Sequence, residues 1–153
     1  RAVSTPTLGA TEGALQDYVE VAKTRWAGPA PMKDDPNARR LAAEVQSQLE
    51  SMKRTLFGNF DHLMECARAG RIADLTDRAR FRYDTGIVAD QCVALSARML
   101  KGVGSSGIRL GSPLLDRHLD IMTSQAHIAN VSEPLSVNLG GMLFGEDAID
   151  TAI

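Results

Sequence analysis

Apolar residues return at three- and four-residue steps through most of the chain, and no segment reads as a strand. In "TLGATEGALQDYVEVAKTRW" the residues Leu8, Leu15, Tyr18, Val19, Ala22 and Trp26 fall at helical intervals, and Gly28-Pro29 ends the run. "GPAPMKDDPNA" is a loop by its proline and aspartate content. A long second helix is predicted from about Asp35 to Ala69, where Leu41, Val45, Leu49, Met52, Leu56, Phe60 and Leu63 keep the helical period. After the turn "AGRIADLTD", Thr76 is the predicted N-cap of a third helix over about Asp77 to Leu100. "KGVGSSGIRLGSP" is a glycine-rich connection, and Ser112 caps a fourth helix with Pro113 at its first position. That helix is predicted to run through Asn130, to be interrupted at Pro134 and to restart toward Phe144. Long helices joined by short loops predict an all-α, up-down-up-down four-helix bundle.

Composition narrows the function classes. The 153 residues suffice for one helical-bundle domain with a real core, here taken as residues 1–153. A net charge of −2 leaves no basic surplus, so nucleic acid and anionic membranes are not the expected partners. No apolar run reaches the roughly 18 residues that span a bilayer. Two cysteines, Cys66 and Cys92, without C-x-x-C spacing suit free thiols in a reducing, cytoplasmic setting. The opening "RAVSTPTLGATEG" has neither methionine nor a signal-peptide pattern, and the expectation is the C-terminal part of a larger three-domain chain.

Two of the three histidines sit in "SPLLDRHLDIMTSQAHIAN". On one continuous helix, nine steps of about 100° put His118 and His127 on opposite faces. His118 falls in the apolar stripe of Leu114, Leu115, Leu119, Ile121 and Met122, near Gln125, and is expected to pack there with a hydrogen-bond partner. His127 centres the other face, flanked by Asp120, Thr123, Ser124 and Asn130. Between Pro113 and Ser132 there is no lysine and no glutamate, the usual dressing of an exposed helix, so this face suits contact with another domain or a ligand, the alternative being a plain solvated face. Metal chemistry is not expected. The Glu-x-x-His pairs of a di-iron bundle are absent, and His62 with Cys66 supplies only two ligands. The loop Gly104, Ser105, Ser106, Gly107 can offer backbone N–H groups to an anion, but it departs from the P-loop pattern, and a glycine loop between helices more often serves only as a C-cap and turn. "RARFRYD" is most simply a solvated helix face.

"TLGATEGALQDYVEVAKTR", "GSSGIRLGSPLLDRHLDIMTSQAHIANV" and "LGGMLFG" together resemble the C-terminal bundle of two-component flavin-dependent monooxygenases of the acyl-CoA dehydrogenase fold. Oxygenase components of p-hydroxyphenylacetate hydroxylase and seco-androstane phenol hydroxylase are members of that family. The likeness covers essentially the whole chain, and Asp120 and His127 stand at the family's Asp and His places. Asp116 and Leu119 replace two family arginines, with Arg117 displaced by one position, and the tyrosine-glutamate-glycine stretch carrying the base of many acyl-CoA dehydrogenases is missing. The resemblance implies a reduced flavin, FMN or FAD, held between this bundle and a β-domain, and homotetramers formed through the bundles. It also implies a flavin reductase partner and hydroxylation of an aromatic, phenolic substrate through a flavin C4a-hydroperoxide. His127 is then the catalytic candidate, with Asp120, Thr123, Ser124 and Asn130 as its supporting polar face. Gly104, Ser105, Ser106 and Gly107 become the cofactor-binding candidates. The alternatives are an N- or S-oxygenase or an acyl-CoA dehydrogenase-like flavoenzyme of the same superfamily, and a non-catalytic helical assembly domain.

Overall fold

The computed structural model describes residues 3–150; the first two and last three residues of the predicted domain lie outside them. Five α-helices carry the fold: α1 (Ser4–Thr24), α2 (Pro36–Arg68), α3 (Leu75–Val103), α4 (Pro113–Gln125) and α5 (Ser132–Leu143).

The first helix is shorter than its apolar spacing predicts. Arg25 turns extended, and Trp26–Ala27 pairs antiparallel with Ala30–Pro31 in a two-residue ribbon that the sequence did not announce. Gly28-Pro29 turns this ribbon instead of merely ending the helix, with Gly28 at a φ of 68°. The boundaries of α2 fall where the pattern puts them. Asp35 caps it by accepting from the Asn37 N–H at 3.0 Å, and Pro36 fills the first position, where no N–H is needed. Its buried residues Val45, Leu49, Met52 and Leu56 form the predicted stripe. The third helix begins two residues before its predicted start, with Asp74 and not Thr76 in the capping position.

Cross-helix contacts set the directions. Tyr18 lies against Gly102, and the Cys92 thiol lies beside Thr11, so α1 and α3 run parallel. The second helix runs against both, through Lys53 with Glu12 and Asn59 with Asp84 at 2.9 Å. The fourth also runs against both, with Ser96 meeting His118 and Thr7 meeting Ser124. The fifth continues downward along α3, Leu135 lying over Gly86 and Ser132 reaching Asp90. The bundle is therefore up-down-up-down, its fourth leg built from two helices in succession. Pro134 sits in the first turn of α5, where a proline costs no helix bond, so the break falls ahead of it.

The core lies between α1, α2, α3 and the upper part of α4, built from Leu15, Tyr18, Val45, Leu49, Leu95, Met99, Leu114 and Ile121. Gly13 lets Arg117 cross α1: a Cβ there would stand 2.6 Å from its guanidinium, which bonds Asp17. The displaced arginine thus ties α4 to the Gly-Ala-Leu stretch of α1. Both thiols are free and buried, and burial pushes that of Cys92 up to about 11. Among the described residues no helix is long and apolar enough to cross a membrane.

Candidate functional site

The stretch carrying His127 is not helix. The fourth helix closes at Gln125, its last carbonyls taken by the N–H groups of Ala126 and His127. His127 then turns extended and becomes the N-cap of a 3₁₀ turn, Ile128–Asn130. Its Nδ1 accepts from the Ala129 N–H at 3.1 Å. In the neutral ring the proton therefore sits on Nε2, the free nitrogen of an exposed side chain. His118 keeps its expected place. Ser96 donates to the Val93 carbonyl at 3.0 Å, so its oxygen accepts from His118 Nδ1 at 2.8 Å. Burial between α3 and α4 pushes the His118 pKa down. The two imidazoles differ in more than face.

The polar face around His127 divides. Asp120 and Thr123 are exposed, the latter returning its hydroxyl to the Leu119 carbonyl at 2.8 Å. Ser124 turns inward to Thr7 of α1. Asn130 is 1% exposed, its Nδ2 donating to the Ser124 carbonyl at 2.8 Å. Leu119 and Met122, assigned to the buried stripe, are instead 50% and 45% exposed.

The glycine loop sits at the other end of α4. Gly104, at a φ of 75°, takes the C-cap position of α3, and the Gly107 N–H closes a turn onto its carbonyl at 2.9 Å. The N–H groups of Ser105 and Ser106 make no hydrogen bond with the described residues. Arg25, which periodicity analysis passed over, lays its guanidinium on the Ser106 hydroxyl. A cavity of about 390 Å³ opens at this same end, lined by Tyr18, Asp35, Arg40, Leu41, Arg98 and Lys101. Glu44 occupies Arg40 and Arg98 there. Thirteen residues of α4 separate the loop from His127, about 20 Å at 1.5 Å per residue. The structure brings Ser124 and Asn130 to His127 and leaves Gly104, Ser105, Ser106 and Gly107 a helix length away.

Sequence reasoning also missed Asp90 and Arg82. Asp90 of α3 bonds Gln125 and Ser132, while Arg82 Nη1 donates to the Ala129 carbonyl at 3.3 Å. Nothing local marks either residue, because both act on a segment 35 or more positions downstream.

Known proteins share this fold. The chain is 28% identical over 155 aligned positions to the flavin-dependent monooxygenase oxygenase subunit HsaA of Mycobacterium tuberculosis, covering 99% of this chain and 39% of that protein. The crystal structure of that HsaA monooxygenase superposes with a TM-score of 0.87 at 27% identity, over 99% of this chain and 39% of that one. The 3-HSA hydroxylase from Rhodococcus sp. RHA1 superposes at 0.88 with 26% identity, over 99% of this chain and 38% of that one. XiaF from Streptomyces sp., in complex with FADH2 and glycerol, shares the fold at 0.88 with 20% identity, over 97% and 38% of the two chains. The chain thus spans about two fifths of the length of the curated relatives it matches. Residues 2–132 match the family described as acyl-CoA dehydrogenase, C-terminal domain, and the chain belongs to that family.

Proposed function

We propose that the chain is the C-terminal bundle of the oxygenase subunit of a two-component flavin-dependent monooxygenase that hydroxylates a phenolic substrate. The observation that carries this reading is the His127 turn. An exposed imidazole, held by its own Nδ1 and leaving Nε2 free, stands on a bundle whose relatives by sequence are flavin-dependent monooxygenases. The complete subunit then includes an N-terminal helical domain and a β-domain, works in the cytoplasm as a homotetramer, and receives reduced FMN or FAD from a flavin reductase.

The residues present fit a flavin in two places. Unused N–H groups at Ser105 and Ser106 beside the Arg25 cation suit its anionic phosphate end. The polar surface and exposed apolar side chains near His127 suit its ring and an aromatic substrate. When bound, the reduced flavin supplies the activation of oxygen for transfer to the substrate. His127 Nε2–H donates to the substrate's phenolic oxygen and stabilises its phenolate form, the phenol proton leaving to solvent, and it is the phenolate that releases electrons into the ring where oxygen arrives. Asp120 and Thr123 line the same exposed surface, and Ser124 and Asn130 support it from beneath.

The test is product analysis. The complete subunit, supplied with a flavin reductase, NADH, oxygen and simple phenols, is expected to yield a catechol carrying one atom from labelled O2. Oxygen incorporation at nitrogen or sulfur in a panel containing amines and thioethers, with no phenol converted, overturns the assignment of substrate class. Oxidation of an acyl-CoA thioester overturns the reaction.

A further inference from the structure

The turn at His127 is held from outside itself. One carboxylate spans the break in the fourth leg: Gln125 Nε2 donates to Asp90 Oδ1 at 2.7 Å, and Ser132 Oγ donates to Asp90 Oδ2. Gln125 is the last residue of α4 and Ser132 the first of α5, so half-buried Asp90 fixes both helix ends to one point on α3. Between those ends the path is set by Asn130. Its N–H donates to the His127 carbonyl at 2.8 Å, and its side chain donates to the Ser124 carbonyl at the same distance. Arg82 takes the Ala129 carbonyl at 3.3 Å. What remains for His127 is a single route, with its N–H on Ser124, its carbonyl on Asn130 and its Nδ1 on the Ala129 N–H.

A turn of this length without such anchors would sample many backbone states, each carrying the ring to a different place. A carboxylate accepting from both sides of a chain break is also more than packing requires, since Gln125 and Ser132 could each satisfy themselves locally or in water. We propose that Asp90 and Asn130 are the positioning residues of His127: Asp90 sets the separation of the two helix ends, and Asn130 sets the path between them. Together they keep Nδ1 on its backbone donor and Nε2 turned outward. The inference rests on His127 being the catalytic group, so geometry and turnover are read separately.

The geometric reading is nitrogen NMR of the labelled imidazole in this 153-residue chain. The native chain is expected to show His127 as one tautomer, with Nδ1 bare and Nε2 protonated. Asp90→Asn, Asn130→Ala and the milder Ser132→Ala, which cuts one arm of the clasp and leaves the carboxylate, should each shift the signal toward a mixture of tautomers. Ser132→Thr should restore it. In the complete subunit, the same variants should reduce the product formed per reduced flavin by up to about 10²-fold, the cost of an ångström-scale misplacement, with the balance appearing as hydrogen peroxide. A native tautomer signal in folded Ser132→Ala and Asn130→Ala chains overturns the inference. A mixed tautomer with undiminished product yield leaves the clasp standing and overturns the catalytic assignment of His127 instead.

Discussion

His118 and His127 belong to one short stretch of chain, yet their rings have opposite hydrogen-bonding roles. His118 lies within α4, pressed on α3, and its Nδ1 donates to a serine whose own proton is already committed to a carbonyl. His127 lies just past the end of α4, in the open, and its Nδ1 accepts from the backbone. The first ring satisfies a polar seam. The second is a cap whose free nitrogen is its useful atom. The comparison shows that a residue's place relative to a helix end can matter more than its angle on a helical wheel, because the start of the next helical turn leaves unpaired N–H groups that a side chain can answer.

The largest effect should come from separating the two rings by mutation. In the complete subunit, His127→Ala is expected to lower coupled hydroxylation by about 10²–10⁴-fold, while the melting point stays near that of the parent. Stopped-flow measurement of product and peroxide yields checks it; wild-type yield would break the assignment. His118→Ala should do the reverse. It should destabilise the bundle by about 1–3 kcal/mol through a lost hydrogen bond and a cavity, with coupling changed far less, as read by denaturant unfolding. At the opposite end of α4, Ser106→Leu removes the partner of Arg25 and crowds the loop. Flavin affinity is expected to fall by roughly tenfold, equivalent to about 1.4 kcal/mol, in fluorescence titrations of the complete subunit. Unchanged affinity would return the loop to a simple helix connection.

A smaller effect separates the rings by pH. Burial holds the His118 pKa below the ordinary histidine value of about 6.5. Folding therefore favours its neutral form: the contribution is complete above about 6.5 and is lost as pH falls through the lower folded value. Thermal melts between about pH 7.5 and 5 should show the parent losing more stability than His118→Gln over that window. Equal losses would mean that the ring is solvated in both states.

The helical legs were legible because their information is local. The stripe from Val45 to Leu56 and the Ser112-Pro113 start each specify a feature with residues near that feature. The break in the fourth leg was only half legible. Pro134 announces a new helix start, but where the old helix stops depends on Asp90, Arg82 and Asn130, which take up polar groups across the gap. The wheel built through His127 consequently used residues that are no longer helical. It also assigned Leu119 and Met122 to the core, when about half of each is left open among the described residues. The ribbon at Trp26 was missed for another reason: two paired residues on each side are too few to show alternation.

The sealed thiol of Cys92 has a practical consequence. With its pKa pushed up to about 11 and no solvent access, it presents almost no thiolate to an alkylating reagent while the bundle is closed. It sits on α3, the helix packed against all the others, so labelling requires the core itself to part. Its modification rate is thus an internal clock for opening of the bundle. Timing that clock with and without flavin would report how far the ligand's grip reaches into the centre of the molecule.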